Sequence, residues 1–210
     1  MPRPARVSPA RILAAAEVEF AARGFAGARV DAIARRAKVN KAMLYYHFRS
    51  KERLYRTLLR DTFAAAAARV HAIGDRTGSD EEKVAAVIAG FAAFVEERRH
   101  FPAIMLREVA EGGTHLDAET LGALSAVPRA VAAIVARGIR AGRFREVDPF
   151  AIYFSMIGPL VLYVAAAPIR AKLASSHLVT GSPLATDAFV QHLQDAMRRV
   201  LAARAGKRST

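Results

Sequence analysis

Apolar residues recur at helical spacing along almost the whole chain of 210 residues. Ser8 and Pro9 suit the start of a helix, and the first apolar stripe follows them. It consists of Ile12, Leu13, Ala16 and Phe20. Gly24 ends this helix, and later stretches repeat the pattern between Gly, Pro or polar turns. No stretch alternates convincingly between apolar and polar residues, so the pattern predicts an all-α fold of about nine helices.

Short helices are predicted after the first one. A helix of about two turns surrounds Ile33, and a third extends from Lys41 to Phe48. Ser50 suits the N-cap of a fourth helix, which continues to about Ile73 because no breaker interrupts it. The stretch GDRTGSD, residues 74–80, is the clearest loop of the chain.

Positive charge is concentrated at one end of the chain. Residues 1–60 contain 14 Lys and Arg against 4 Asp and Glu, a net +10, whereas residues 61–210 contain 18 against 15, a net +3. This bias favours an anion-binding N-terminal module over a merely solvated surface. The chain has no cysteine, which excludes disulfides and fits a reducing, cytoplasmic compartment. The N-terminal residues also lack the apolar core of a signal peptide.

One apolar run raises the question of a membrane. Residues 149–169 carry no formal charge over 21 positions, which is long enough to cross a bilayer. However, Gly158-Pro159 would break or kink a helix at its middle. A helix that is apolar all round is otherwise buried inside a protein or between subunits. We expect burial, and a membrane-associated protein is the alternative.

The most informative stretch is KVNKAMLYYHFRSKE, residues 38–52. On a helical wheel drawn at 100° per residue, Leu44 and Phe48 fall on one face and would anchor the helix to its domain. The opposite face carries Ala42, Tyr45 and Tyr46. Two short helices joined by a tight turn form a helix-turn-helix, whose second helix enters the DNA major groove. The displayed tyrosines are therefore predicted to meet DNA.

Residues 9–60 resemble the N-terminal domain of TetR-family transcriptional regulators. The matching residues are Ala15, Phe20, Gly24, Phe25, Val30, Ile33, Ala34, Val39, Lys41, Leu44, Tyr45, Tyr46, His47, Phe48, Ser50, Lys51 and Glu52. The run LYYHF-x-SKE is a specific signature, whereas the resemblance over the remaining residues is weaker. It implies a DNA-binding helix-turn-helix domain of three helices over residues 1–50 and a helical ligand-binding and dimerisation domain over residues 51–210.

The resemblance further implies a ligand-responsive repressor. No catalytic residues, cofactor or metal are predicted. Such a protein would bind a near-palindromic operator as a homodimer and be released by a small apolar or amphipathic effector. The predicted DNA-contacting residues are Arg29, Lys41, Ala42, Tyr45, Tyr46, His47 and Lys51. For His47, packing and phosphate contact both remain open. Arg3, Arg6 and Arg11 suit either a minor-groove arm or a disordered tail.

The chain departs from the family pattern at three positions. Lys38 stands where the turn usually has Gly, so either the turn has a different geometry or Lys38 takes a less usual, strained backbone conformation. Arg29 replaces the usual Ser or Thr cap of the second helix, which removes a capping oxygen and adds a cation. Met43 replaces a hydroxyl residue, so one polar DNA contact is lost or becomes an apolar contact to a thymine methyl.

The C-terminal part offers candidates for the effector and the dimer. Aromatic and methionine residues that suit an apolar pocket are Phe63, Phe91, Phe94, Phe101, Met105, Phe154, Met156 and Tyr163, although ordinary core packing explains each one alone. A stripe on the last helix suits a dimer interface or the core of the chain. It consists of Phe189, Leu193, Met197, Val200 and Leu201.

No catalytic constellation supports an enzyme. The sequence contains no G-x-S-x-G, G-x-G-x-x-G, P-loop or H-E-x-x-H motif, and its six histidines are scattered. Glu108, Glu111 and His115 could hold a cationic group or a metal, but their spacing matches no demanding ligand geometry. We expect these three side chains to be exposed to solvent.

Overall fold

The computed structural model describes residues 8–176 and 185–203, which form ten α-helices and one isolated β-bridge. The helices are α1 (Pro9–Gly27), α2 (Val30–Arg36), α3 (Lys41–Phe48), α4 (Lys51–Gly74), α5 (Asp80–Glu97), α6 (Phe101–Ala110), α7 (Ala118–Arg140), α8 (Pro149–Ala165), α9 (Ala167–Ser175) and α10 (Thr186–Leu201). The predicted all-α fold is confirmed. The number exceeds nine by one, and the uncharged run 149–169 itself covers two helices because the chain breaks at Ala166.

The chain divides into two compact units. The first comprises Met1–Phe63 and His100–Ala123, and the second comprises Ala64–Arg99 and Leu124–Thr210. The predicted domain boundary between residues 50 and 51 lies at the start of α4, within the first unit, and stays a prediction about function.

In the first unit, α1 packs against α2 and α6, and α2 packs against α3. The helix starts as predicted, with the Ser8 hydroxyl accepting a hydrogen bond from the Ala10 backbone N–H at 3.3 Å. Gly24 leaves the helical conformation at φ 68° and ψ 178°, and a further turn then continues to Gly27. Only glycine adopts such a conformation without strain. The predicted stop is therefore a break inside α1.

In the second unit, α5 packs against α8 and α10. Its N-terminus carries a capping box in which Ser79 and Glu82 each accept a hydrogen bond from the other's backbone N–H. Leu193, Met197 and Leu201 form the buried face of α10. This pattern at intervals of four residues explains why α10 lies on the apolar side of α5.

A glycine and an aromatic ring lock the end of α7. Gly138 is buried within the helix, and a Cβ atom built on it would overlap the ring of Phe144. Phe144 in turn forms the isolated bridge with Ala202, and the Arg145 backbone N–H donates to Leu201 O at 3.1 Å. The close approach of the ring to the helix thus holds the loop after α7 against the end of α10.

Two stretches of the described residues are long and apolar enough to cross a membrane by length and composition alone. They are α7, of whose apolar window 33% is buried, and the pair α8 and α9, which are bent by 62° relative to each other. Core helices of other proteins pass the same test, so this is weak evidence for a membrane span. The sequence predicts a break or a kink at Gly158-Pro159. The helix does not break there, because α8 continues to Ala165.

Candidate nucleic-acid interface

Helix α3 shows one buried and one exposed face, as the helical wheel predicts. Leu44 is 0% exposed and Phe48 is 6% exposed, so these two side chains fix the helix to the first unit. On the other face, Tyr46 is 69% exposed and Tyr45 is 38% exposed. Lys41 and Ala42 are exposed beside them. The two tyrosines therefore present their rings and hydroxyls to solvent from a well-anchored helix.

Hydrogen bonds close both ends of the turn that precedes α3. The Val39 and Lys38 backbone N–H groups donate to Ala34 O and Arg35 O at 3.0 and 3.1 Å, which is the Schellman pattern of a helix end. This pattern needs a left-handed residue, and Lys38 supplies it with φ 52°. Of the two alternatives that the sequence leaves open for this turn, the structure shows the unusual conformation of Lys38. Asn40 then caps α3, since its side-chain oxygen accepts from the Met43 N–H at 2.7 Å.

Two of the predicted DNA-contacting residues form contacts within the protein. Lys51 Nζ donates to Ala26 O at 3.2 Å and lies 4.6 Å from the centre of the Phe25 ring. Lys41 Nζ forms an ion pair with Asp31 at 3.1 Å, in which both side chains are more than half exposed. An exposed pair of this kind is weak and can open when a phosphate approaches. Lys51 has a structural role between α1 and α4 that the sequence did not reveal.

Arg29 lies at the N-cap of α2 and, as predicted, makes no side-chain capping bond. Instead, its backbone N–H donates to Oε1 of Glu19 at 3.4 Å, so a side chain of α1 helps to cap α2. Glu19 also pairs with Arg23 at 3.1 Å. The Arg29 side chain itself is exposed.

The remaining predicted contacts lie at the edge of the exposed face. His47 and Met43 are half-buried, and the His47 ring stands edge-on to Tyr46 at 5.3 Å between centroids. This placement is compatible with both roles that the sequence leaves open for His47. Arg11 is exposed on α1, whereas Arg3 and Arg6 lie outside the described residues.

A polar cluster in the first unit contradicts one expectation from the sequence. Glu108 is 0% exposed and the His115 side chain is 14% exposed, so the expected solvent exposure is wrong for these two residues. Glu111 is exposed, as expected. Glu108 Oε2 accepts from the Tyr55 hydroxyl at 3.0 Å, and Oε1 accepts from the His115 backbone N–H at 2.9 Å. The His115 ring nitrogen Nδ1 lies 3.1 Å from Oε2. Glu108 can be buried because its carboxylate oxygens have these hydrogen-bond partners.

Aromatic rings surround this carboxylate. Phe25 lies between the His115 ring at 4.1 Å and the Tyr55 ring at 5.3 Å, and Phe20 meets Tyr55 at 4.7 Å. Burial, and then the negative charge of Glu108, raise the pKa of the Tyr55 hydroxyl, so it stays a hydrogen-bond donor. Ligand atoms of Glu108, Glu111 and His115 lie within 4.8 Å of one another. The inner carboxylate already has its hydrogen-bond partners, and no metal role follows from this proximity.

The residues predicted to line a pocket belong to both units. Phe63, Phe101 and Met105 are in the first unit, where the Phe63 and Phe101 rings meet edge to face at 6.4 Å. In the second unit, Phe91, Phe94 and Met156 are buried and Tyr163 is half-buried. Phe154 is 57% exposed, so core packing does not explain it. Their role in effector binding stays a prediction.

One cavity in the second unit has other walls. It has a volume of about 290 Å³ and lies between α5, α10 and the loop after α7. Its lining residues are Glu81, Val84, Ala85, Arg143, Phe144, Gln194, Arg198, Leu201, Ala202 and Ala203. No residue of the predicted pocket is among them.

The predicted dimer residues of α10 divide into two groups. Leu193, Met197 and Leu201 are buried within the second unit itself. Phe189 and Val200 are half-buried, and the Phe189 ring stacks on Tyr163 at 3.9 Å between centroids. The exposed apolar surface lies instead on α8 and α9, where Phe150, Phe154, Leu162 and Ile169 are 57–62% exposed.

Comparisons with known proteins agree with this geometry. Residues 12–58 match the family described as bacterial regulatory proteins, tetR family, and residues 81–199 match the family described as tetracyclin repressor-like, C-terminal domain. The chain is 28% identical to the HTH-type transcriptional regulator RutR of Escherichia coli K12 over 193 residues, which are 90% of this chain and 86% of RutR. It is 43% identical to the HTH-type transcriptional repressor NicS of Pseudomonas putida over 54 residues, 26% of each chain.

Solved structures show the same fold. The regulator FadR of Bacillus subtilis, in complex with stearoyl-CoA, superposes with a TM-score of 0.76 at 17% identity and covers 92% of this chain and 100% of its own. The fatty acid degradation regulator FadR of Bacillus halodurans gives a TM-score of 0.75 at 17% identity over 91% and 98%. Both family matches, the helix-turn-helix and the helical C-terminal part lead to one conclusion. The chain belongs to the TetR family of bacterial transcriptional regulators.

Proposed function

We propose that the chain is a ligand-responsive repressor, which binds a near-palindromic operator through α3 and leaves it when a small apolar or amphipathic effector binds. The observation that carries the proposal is the exposed tyrosine face of α3. Tyr45 and Tyr46 stand on a helix whose opposite face is buried, as a helix inserted into the major groove requires. Because its partner is DNA, we expect the protein in the cytoplasm.

A homodimer follows from the limited reach of one helix. A single α3 contacts few base pairs, whereas two copies related by a twofold axis read two half-sites of a palindrome. The exposed stripe Phe150, Phe154 and Leu162 on α8 supports this, because it repeats at i, i+4 and i+12 and leaves apolar rings in water. Gly158 lies in the same row with open space above it, so a second helix could approach closely there. We expect α8 to join α10 in the interface.

An apolar or amphipathic effector suits the second unit. Phe91, Phe94 and Met156 are buried there and could move apart to admit a hydrocarbon chain. The structural relative FadR of B. subtilis was solved with stearoyl-CoA, which makes a long-chain acyl-CoA a reasonable first probe. Entry of the ligand would tilt α4 and so move Lys51 and the adjacent α3. The ligand achieves this only by binding the tilted state more tightly.

Fluorescence anisotropy on the chain's own upstream intergenic DNA tests the DNA-binding part, with a shuffled duplex as control. We expect preference for the intergenic duplex, with affinity falling roughly 10³–10⁵-fold between about 50 and 200 mM salt if ~6–10 phosphates are contacted. Tyr46→Ala should abolish the preference. Val109→Ala, a truncation of another exposed residue in the same unit (65% exposed), should not. Equal binding of both duplexes by the parent protein would overturn the proposal.

Two further measurements test the dimer and the effector separately. Sedimentation equilibrium should show a dimer for the parent protein and a monomer for Phe154→Asp, since the substitution places a charge in the exposed stripe. Titration of stearoyl-CoA into the protein–DNA complex should lower the anisotropy. A monomeric parent protein would contradict the twofold arrangement. A complex that is indifferent to acyl-CoA would direct the search to other effector classes.

A further inference from the structure

We propose that Lys38, in the turn before α3, and Arg49, directly after α3, contact phosphates of the two DNA strands on either side of this helix. This inference rests on the proposed operator binding and adds two residues to its interface. Neither was among the DNA-contacting residues predicted from the sequence, and each lies at a strained backbone position.

The backbone provides the first observation. Lys38 and Arg49 are the two non-glycine residues with positive φ in the described chain, at 52° and 64°. Lys38 forms the left-handed residue of the Schellman turn after α2. Arg49 has ψ −43°, and the Ser50 N–H donates to Phe48 O at 2.7 Å across it, which makes the rare γ-turn with positive φ. Glycine would fit both positions without strain.

Strained backbone conformations concentrate at functional sites, where another requirement maintains them. At both positions the residue that carries the strain is a cation, and both side chains are exposed. The turns themselves need only positive φ, which explains the conformation but not the choice of lysine and arginine over glycine. A requirement for positive charge at these two positions would explain that choice.

The neighbouring cations provide the second observation. Lys51 is held by Ala26 and Phe25, and Lys41 by Asp31. By contrast, the side chains of Lys38 and Arg49 make no hydrogen bond or ion pair with the described residues. Their charges are therefore available to an external anion without the loss of an internal contact.

The dimensions of α3 agree with contacts to both strands. Its eight residues span about 12 Å at roughly 1.5 Å per residue. The major groove is also about 12 Å wide. Cations that flank a helix of this length, such as Lys38 two residues before the N-cap of α3 and Arg49 directly after the helix, would lie near a phosphate backbone on each side of the groove. Contacts of this kind position a protein on DNA and carry no base preference.

Glycine substitution separates this role from a structural one. Lys38→Gly and Arg49→Gly remove the charge and also relieve the strained backbone, so the folded state is not weakened by the change itself. We expect the thermal unfolding midpoint to stay within a few degrees of the parent value. For binding to the intergenic duplex, the slope of log K against log salt should fall by about 0.9 per lost phosphate contact, or ~1.8 per substitution in a dimer.

The affinity near 0.15 M salt should fall roughly tenfold for each substitution, equally for specific and shuffled duplexes. Lys38→Asn and Arg49→Asn provide a second pair of neutral variants, because asparagine also tolerates positive φ. Lys38→Arg keeps the charge and should keep the slope. Arg76→Gly, which removes an exposed cation from the loop after α4, controls for net charge and should leave the slope unchanged.

The outcomes distinguish the inference from the proposed function. Steep salt dependence in the parent protein with unchanged slopes in all four neutral variants would overturn the role of Lys38 and Arg49 while leaving operator binding intact. A parent protein without preference for the intergenic duplex would instead contradict the proposed function. Equal loss of slope in Arg76→Gly would also overturn the inference, because it would show a general effect of net charge.

Discussion

Among the described residues, the most deeply buried carboxylate of each unit is neutralised in a different way. In the first unit, Glu108 is 0% exposed and receives hydrogen bonds from the Tyr55 hydroxyl and from His115. In the second unit, Asp80 is 1% exposed and is held by the guanidinium groups of Arg137 and Arg143. One carboxylate depends mainly on dipoles and the other on opposite charges.

The difference appears in the titration of the groups involved. Burial alone would raise the pKa of Asp80, but the hydrogen bonds and charges of Arg143 and Arg137 outweigh it, so the pKa lies below its ordinary value. In the first unit the pKa of Tyr55, the hydrogen-bond partner of Glu108, is shifted, because burial and the charge of Glu108 raise it. Hydrogen bonds weaken steeply with angle, whereas Coulomb attraction falls only with distance. The Glu108 cluster should therefore be the more sensitive of the two to small changes of shape.

Removing the carboxylate of the first unit should have the largest effect. Glu108→Ala leaves the Tyr55 hydroxyl and the His115 N–H without their acceptor, at about 1–3 kcal/mol for each buried group. We expect the free energy of unfolding to fall by about 3–4 kcal/mol in urea denaturation followed by circular dichroism. The exposed neighbour Glu111 provides the control, because Glu111→Ala should change it by less than about 0.5 kcal/mol. Equal midpoints for Glu108→Ala and the parent protein would show that the cluster contributes little.

Removing the charge in the second unit should cost less. A fully buried pair that loses one partner is destabilised by about 3–5 kcal/mol. Arg137 and Arg143 are 41% and 43% exposed and can regain water, so we expect about 2–3 kcal/mol for Asp80→Asn. Glu81→Gln, next to Arg143 at 3.9 Å, serves as a matched control and should be nearly neutral. A larger loss for Asp80→Asn than for Glu108→Ala would reverse the comparison.

Removing the Tyr55 hydroxyl alone should destabilise the first unit less than removing Glu108. Tyr55→Phe removes only the hydroxyl and leaves the His115 contacts to Glu108, so about 1–2 kcal/mol should be lost. Since the pKa of Tyr55 is raised, this loss should stay constant from neutral to mildly alkaline pH in denaturant titrations. A loss that grows as the pH rises towards 10 would contradict the raised pKa, because it would mean that the hydroxyl ionises more readily in the folded than in the unfolded protein.

Acid should gradually weaken the interaction of Asp80 with Arg137 and Arg143 in the second unit. The folded pKa of Asp80 lies below the unfolded value near 3.8, so its stabilisation is fully present above that value and is lost as the pH falls through the folded pKa. The stability difference between the parent protein and Asp80→Asn should therefore be constant between about pH 5 and 8 and shrink below about pH 4. Unfolding midpoints across this range test the expectation. A difference that grows in acid would give the shift the opposite sign.

Local periodicity predicted the helices and the faces of α3, because a wheel depends only on residue spacing. Periodicity did not indicate the positive φ of Lys38, which the resemblance to the family offered as one of two alternatives because the family has glycine there. It could not place Lys51 against Phe25, nor bury Glu108, because these contacts join residues 26 and 53 positions apart in sequence. Nor could it tell that Phe154 lies at the surface, since an apolar residue reads the same whether the chain or a partner covers it.

The close contact between Gly138 and the Phe144 ring also limits which substitutions these two positions can accept. Any side chain at position 138 would occupy the space of the ring, so a substitution there is tolerated only after position 144 has become small. Among natural variants of this protein, the two positions should therefore change together or not at all. An aligned set of close variants would record this linkage as paired substitutions.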